Sequence, residues 1–154
     1  MDQKTVLVVE DEPAIRSLLS LVIETRDYRV VTAQDGREAL ARVERDRPDA
    51  ILLDLMLPNV DGWAVLDELH RNAATACIPI IVMSASHRLD AAREHGAIGV
   101  LGKPFDIPGL LRLLEDALSG PQATPYRSDA SEPGRSFLSR MLEHTRVADS
   151  ARLS

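Results

Sequence analysis

Five short apolar runs, separated by stretches whose apolar residues recur every three or four positions, constrain this chain more than any other feature. The runs are TVLVV (5–9), YRVVTA (28–33), AILLDL (50–55), IPIIVMSA (78–85) and IGVLG (98–102). The first is β-branched and apolar on both faces, as a strand covered from both sides must be. The stretches between them read as helices. Pro13 can open the first helix, where its missing N–H costs nothing. Ile15, Leu18, Leu19, Val22 and Ile23 then form one apolar stripe. Asp35 is placed to cap a second helix over 35–45, with Ala39, Leu40 and Val43 facing inward. Residues 62–72, 88–96 and 106–118 read as three more. Gly96 can end the fourth helix, and Ile107, Leu110, Leu111 and Leu114 share a face of the fifth. Strands and helices alternating at this spacing imply βαβ units. The expected class is therefore α/β, a five-stranded parallel sheet with helices on both faces. Such sheets bind ligands beyond the carboxyl ends of their strands.

Composition narrows what that sheet can serve. Aromatic residues make up only 3% of the chain, so the core must be aliphatic. Residues 1–119 carry 13 basic and 20 acidic side chains, against 5 and 4 in the remainder. The acidity lies in the globular part and argues against nucleic-acid or anionic-membrane binding there. A single cysteine, Cys77, excludes an intramolecular disulfide framework and suits a reducing cytoplasm. The opening MDQKTVLVVEDEP is too acidic, and its apolar run too short, for a signal peptide. No run approaches the roughly 18 apolar residues of a membrane span, so a cytoplasmic protein is expected. Residues 120–135 are rich in Pro, Gly and Ser and read as a flexible linker. Residues 136–154 form a tail, either disordered or a short amphipathic helix using Phe137, Leu138, Met141 and Leu142.

The charged residues fall at one edge of the expected sheet. Glu10, Asp11 and Glu12 follow the first strand, Asp54 lies near the end of the third, Ser84 ends the fourth and Lys103 follows the fifth. Carboxylates gathered at one edge repel unless a cation intervenes. Oxygen donors that leave room for water suit Mg²⁺ rather than zinc. One cysteine and four scattered histidines (His70, His87, His95, His144) supply no zinc cluster. A carboxylate nucleophile beside Mg²⁺, with a hydroxyl and an ammonium at hand, is suited to phosphoryl transfer. The same cations would offset the cost of burying Asp54.

The motifs VLVVEDEP, ILLDLMLPNVDG, VMSAS and GKPF, in that order, resemble those of the receiver domain of two-component response regulators. The resemblance covers about residues 4–118 and implies a (βα)5 flavodoxin-like receiver fold over residues 1–119. It implies that Asp54 accepts a phosphoryl group from a sensor histidine kinase or a phosphotransfer protein. Asp11 would then be a direct Mg²⁺ ligand, Glu10 a ligand through water, and the Met56 backbone carbonyl a further ligand. Ser84 would be the switch hydroxyl, Lys103 the contact to the phosphoryl group, and the bond before Pro104 cis. The catalysis implied is self-phosphorylation and autodephosphorylation of Asp54. Output would be altered contact with a downstream protein, by a monomer or weak dimer that does not itself bind nucleic acid.

Two departures from the family pattern stand out. Val100 occupies the place of the usual switch aromatic, and the interval from Ser84 to Lys103 is shorter than in the chemotaxis receiver. The residues after 119 are also too few for a typical winged-helix DNA reader. One competing reading is a phosphorylation-independent interaction scaffold on the same fold. Another is an aspartyl-phosphate phosphohydrolase, but its general acid two residues past the nucleophile would here be Met56. Nicotinamide binding fails because VVEDEP lacks the glycines that admit a pyrophosphate. Trp63 is expected to pack near the Asp54 loop, the histidines to be exposed, and Cys77 to lie in a loop or be partly buried.

Overall fold

The computed structural model describes residues 3–58, 60–85 and 89–119. The expected linker and tail, with His87 and His144, lie outside these residues. In chain order the elements are β1 (Thr5–Val9), α1 (Pro13–Glu24), β2 (Arg29–Ala33), α2 (Gly36–Asp46), β3 (Ala50–Asp54), α3 (Gly62–Arg71), β4 (Ile80–Ser84), α4 (Leu89–Glu94), β5 (Gly99–Gly102) and α5 (Ile107–Ser119). All strand pairs are parallel, in the order β2-β1-β3-β4-β5. No helix among the described residues is long and apolar enough to cross a membrane.

Successive side chains of a strand point to opposite faces, and here that alternation divides the core in two. Leu7, Val9, Ile51, Leu53, Ile80 and Val82 meet Leu40 and Val43 of α2, Leu66 and Leu69 of α3, and Ala92 of α4. Val6, Val8, Ala50, Leu52, Ile81 and Met83 meet Leu19 and Ile23 of α1 and Leu110, Leu114 and Leu118 of α5. Each strand residue thus faces an apolar helix on its own side, which is why the runs carry almost no polar residue before their ends.

The helix termini follow from local chemistry. The Glu38 N–H donates to Asp35 Oδ1 at 2.8 Å, so Asp35 caps α2 as its position suggested. The Trp63 N–H donates to Asp61 Oδ1 at 3.1 Å, giving α3 the same kind of start. The stripe on α1 is narrower than its periodicity implies: Leu19 and Ile23 are buried and Ile15 and Val22 partly so, but Leu18 is 52% exposed. α1 and α5 share one face of the sheet, so each inserts only its central ridge. Likewise Leu111 of α5 is only partly buried, while Leu110, Leu114 and Leu118 reach the core. β4 begins at Ile80 rather than at residue 78. The chain before it turns, with the Ile78 N–H donating to the Thr75 carbonyl at 3.0 Å.

The strand order reverses beside β1: β1 leads through α1 to β2 on one side, while β3, its neighbour on the other side, leads through α3 away to β4. At that reversal the loops leave the carboxyl edge in opposite directions and open a crevice.

Candidate functional site

Four of the five strands deliver side chains to that crevice. Glu10, 1% exposed, directly follows β1, and its N–H donates to the Ala33 carbonyl at 3.1 Å. β3 ends in Asp54, 2% exposed and paired in register with Met83. β4 ends in the buried Ser84, whose carbonyl accepts from the Lys103 N–H at 2.9 Å just past β5. Backbone pairing therefore fixes how far each of these side chains stands above the sheet. The Lys103–Pro104 peptide bond is cis, as the family resemblance implied.

Lys103 joins the two buried carboxylates. Its Nζ donates to Asp54 Oδ2 at 2.8 Å and to Glu10 Oε2 at 3.0 Å. The other oxygens are held by backbone: Met56 N–H on Asp54 Oδ1 at 2.9 Å, and a longer bond of 3.4 Å from Glu12 N–H to Glu10 Oε1. Asp11 is exposed, and carboxylate oxygens of Glu10, Asp11 and Asp54 lie within 4.8 Å of one another. Among the described residues, no buried side-chain nitrogen or oxygen lacks a hydrogen-bond partner.

Electrostatics set the character of this cluster. Burial pushes the Glu10 carboxyl up to about 7, against the hydrogen bond from Lys103 and with Asp54's charge adding to the rise. Burial alone would pull the Lys103 ammonium down. The hydrogen bonds and charges of Asp54 and Glu10 outweigh it and hold the ammonium above its ordinary value. Three carboxylates against one ammonium leave two negative charges when all are ionised. The donor set is all oxygen, with one exposed member facing water. This charge and chemistry fit a divalent hard cation such as Mg²⁺, which keeps several waters.

The predicted residues Glu10, Asp11, Asp54 and Lys103 thus come together. Ser84 reaches the same sheet edge, and Met56, 69% exposed, contributes its N–H to Asp54. Val100 lies in β5, partly buried against the core that contains α3 and α4. Trp63 is partly buried against the core cluster that includes Leu55 and Val60, with its ring edge-on to His95 at a centroid distance of 5.3 Å. His95, although exposed, is not idle: its Nδ1 stands 2.6 Å from Asp67 Oδ1. Cys77 is exposed in the turn region before β4.

Two contributors escape a reading by residue type. A Cβ on Gly62 would lie 2.5 Å from the Leu55 Cα and 2.8 Å from the Asp54 carbonyl oxygen. Only glycine lets α3 begin this close to the strand that carries Asp54; the Asp-Gly pair in NVDG was the available signal. Arg16 is the second. Its Nη1 donates to the Glu10 carbonyl at 2.9 Å, behind the carboxylates.

Comparison with known proteins accords with this fold. The family model described as the response regulator receiver domain matches residues 6–115. The DNA-binding dual master transcriptional regulator RpaA of Synechocystis is 35% identical over 130 residues, covering 82% of this chain and 54% of its own length. The alkaline phosphatase synthesis transcriptional regulatory protein PhoP of Bacillus subtilis is 40% identical over 105 residues, covering 66% of this chain and 43% of that protein. The chain spans about half the length of the curated relatives it matches. Among solved structures, the chemotaxis response regulator CheY4 of Vibrio cholerae aligns with a TM-score of 0.69 at 32% identity, covering 76% of this chain and 100% of that one. The receiver domain of a sensor histidine kinase from Pseudomonas aeruginosa, solved with a magnesium ion coordinated in its active-site cleft, aligns with a TM-score of 0.69 at 32% identity. It covers 77% of this chain and 100% of its own.

Proposed function

Because the chain belongs to the response regulator receiver family of two-component systems, we propose that Asp54 is its phosphoacceptor and that phosphorylation changes the contacts it makes with another protein. One observation carries the assignment: a single ammonium, Lys103, bridges Asp54 and Glu10 at the reversal point of a parallel sheet, with Asp11 close by.

In this reading an Asp54 oxygen attacks the phosphorus of a phosphohistidine on a sensor histidine kinase or phosphotransfer protein. The new O–P bond forms as the P–N bond breaks, and the imidazole leaves with the bonding pair and takes up a proton. Asp11 and the Met56 carbonyl would hold Mg²⁺ directly, with Glu10 acting through water. When bound, the ion would neutralise charge on the transferring phosphoryl oxygens. Lys103, already hydrogen-bonded to Asp54, would follow the charge onto the phosphoryl group, and Ser84 would supply a hydroxyl donor. Water attack on the phosphorus would break the Asp54 O–P bond, release inorganic phosphate and restore the carboxylate.

Val100 bears on output. A valine has no ring to swing between inward and outward positions, so the signal would pass through the loops around Ser84 and Lys103 and the short α4 rather than through an aromatic rotamer. The expected setting is cytoplasmic, and the acidic balance of residues 1–119 disfavours a nucleic-acid role for this unit.

The test is intact-mass spectrometry after incubation with acetyl phosphate, with and without Mg²⁺, on wild type and Asp54→Asn. One phosphoryl adduct requiring both Mg²⁺ and Asp54 is the expected result. No adduct, together with no change in Trp63 fluorescence on Mg²⁺ titration, would replace this reading with the phosphorylation-independent scaffold.

A further inference from the structure

Arg16 occupies a position that helix electrostatics disfavours. It lies in the first turn of α1, where the N-terminal end of the helix dipole is positive and a cation is unfavourable. That turn contains no acidic residue, and the Glu12 side chain makes no capping hydrogen bond. Nothing in α1 itself therefore accounts for the placement.

The contacts of Arg16 point instead to the loop before the helix. Its Nη1 donates to the Glu10 carbonyl at 2.9 Å and, more weakly, reaches the Asp11 carbonyl at 3.4 Å. These are the backbone oxygens of two adjacent residues whose side chains turn toward Asp54. With the Glu10 N–H on Ala33, its Oε2 on Lys103 and its Oε1 facing the Glu12 N–H, every polar group of Glu10 is tied. The Asp11 carboxylate, by contrast, is exposed, and the carbonyl behind it is held by Arg16.

We infer that Arg16 is a positioning residue: it clamps the Glu10 and Asp11 carbonyls so that carboxylates which repel each other stay converged before a divalent cation arrives. The inference rests on the Mg²⁺-dependent reading of the site. It has a useful opposition of sign. As a positive charge, Arg16 should weaken Mg²⁺ binding by repulsion. As a clamp, it should strengthen binding by holding the ligands in place. Removing it distinguishes the two effects, because a charge effect alone would make binding tighter.

The experiment is Mg²⁺ titration by calorimetry and by Trp63 fluorescence on wild type, Arg16→Gln, Arg16→Lys and the exposed-surface control Arg112→Gln. Groups that orient metal ligands typically alter affinity 10–100-fold, and Arg16 acts at one remove through the backbone. Arg16→Gln is therefore expected to raise the Mg²⁺ Kd about tenfold. Arg16→Lys keeps the charge on a shorter side chain that reaches the two carbonyls less well, so it should fall between Arg16→Gln and wild type, and Arg112→Gln should match wild type. Phosphorylation of Arg16→Gln by acetyl phosphate should return to the wild-type rate at saturating Mg²⁺, because the reacting groups themselves are untouched. Mg²⁺ binding by Arg16→Gln as tight as wild type, or tighter, would overturn the inference while leaving the receiver reading intact. Absence of Mg²⁺ binding by wild type would remove both. If Arg16→Gln shows no cooperative unfolding transition, Arg16→Ala, which also removes the donors, takes its place: a Kd equal to or below that of wild type overturns the clamp.

Discussion

Gly62, Glu10 and Lys103 show how narrowly single residues constrain the site. A methyl group on Gly62 would meet the Leu55 backbone at 2.5 Å, so the loop carrying Asp54 must shift to admit it. Overpacking of this kind costs about 1–3 kcal/mol. Gly62→Ala should lose about that much in urea unfolding and accept phosphate more slowly from acetyl phosphate. Glu10 sets a pH dependence in the metal-free protein. Its carboxyl binds a proton more tightly folded, at about 7, than unfolded, at the ordinary 4.5. Between those values the native state holds more protons, so stability falls as pH rises through the window. Urea unfolding in chelator at pH 5, 6 and 7 should show that decline. Asp54→Asn should flatten it, because the charge of Asp54 helps to raise the Glu10 carboxyl. Lys103→Met should steepen it. Without the ammonium, the buried Glu10 and Asp54 carboxylates face each other with no cation between them, and protonation of Glu10 at lower pH relieves the repulsion. A destabilisation by Lys103→Met no larger at pH 8 than at pH 5 would contradict this account.

At the scale of elements, burial separates residues that look alike in sequence. Leu18 and Leu19 are neighbours on α1, yet Leu19 is buried against the sheet and Leu18 is 52% exposed. Leu19→Ala should cost about 2–5 kcal/mol, as core truncations do. Leu18→Ala should stay within about 0.5 kcal/mol. Thermal unfolding of the two variants side by side tests the division. α4 poses a different problem, since six residues offer little surface to bury. Ala92 reaches the core, and just beyond the helix His95 meets Asp67 and the Trp63 ring on α3. His70 of α3 lies against Gly96, whose positive φ of 106° turns the chain there. These contacts couple the end of α4 to the helix that follows the Asp54 loop. His95→Ala should shift Trp63 emission clearly but lower stability by less than about 1 kcal/mol, because the His95–Asp67 contact is partly exposed to water. Emission unchanged from wild type would mean that the Trp63–His95 contact is not maintained in solution.

For the whole molecule, folding and cation binding are expected to be linked, because the three carboxylates converge only when β1 and β3 are paired. A cation that binds this arrangement and not the unfolded chain should stabilise it by about 2.7 kcal/mol at a hundredfold excess over its Kd. Adding chelator should remove that increment, and Asp54→Asn should show less of it. The architecture was legible in the chain because each level of organisation pointed the same way. Short runs apolar on both faces require a sheet covered on both sides, and alternation with helices requires parallel pairing. Parallel pairing in turn sends Glu10, Asp54, Ser84 and Lys103 to one edge. Sequence order and residue type determined that much, since strand direction and side-chain alternation are local properties of the chain. The salt bridge from Lys103 to Asp54 and Glu10, 49 and 93 residues away, required the strand register. So did the steric limit at Gly62, the exposure of Leu18, and the turn of Arg16 back onto the Glu10 carbonyl. Each of these depends on which backbone passes within a few ångströms of a side chain. That is decided by the packing of distant segments, which local periodicity does not encode.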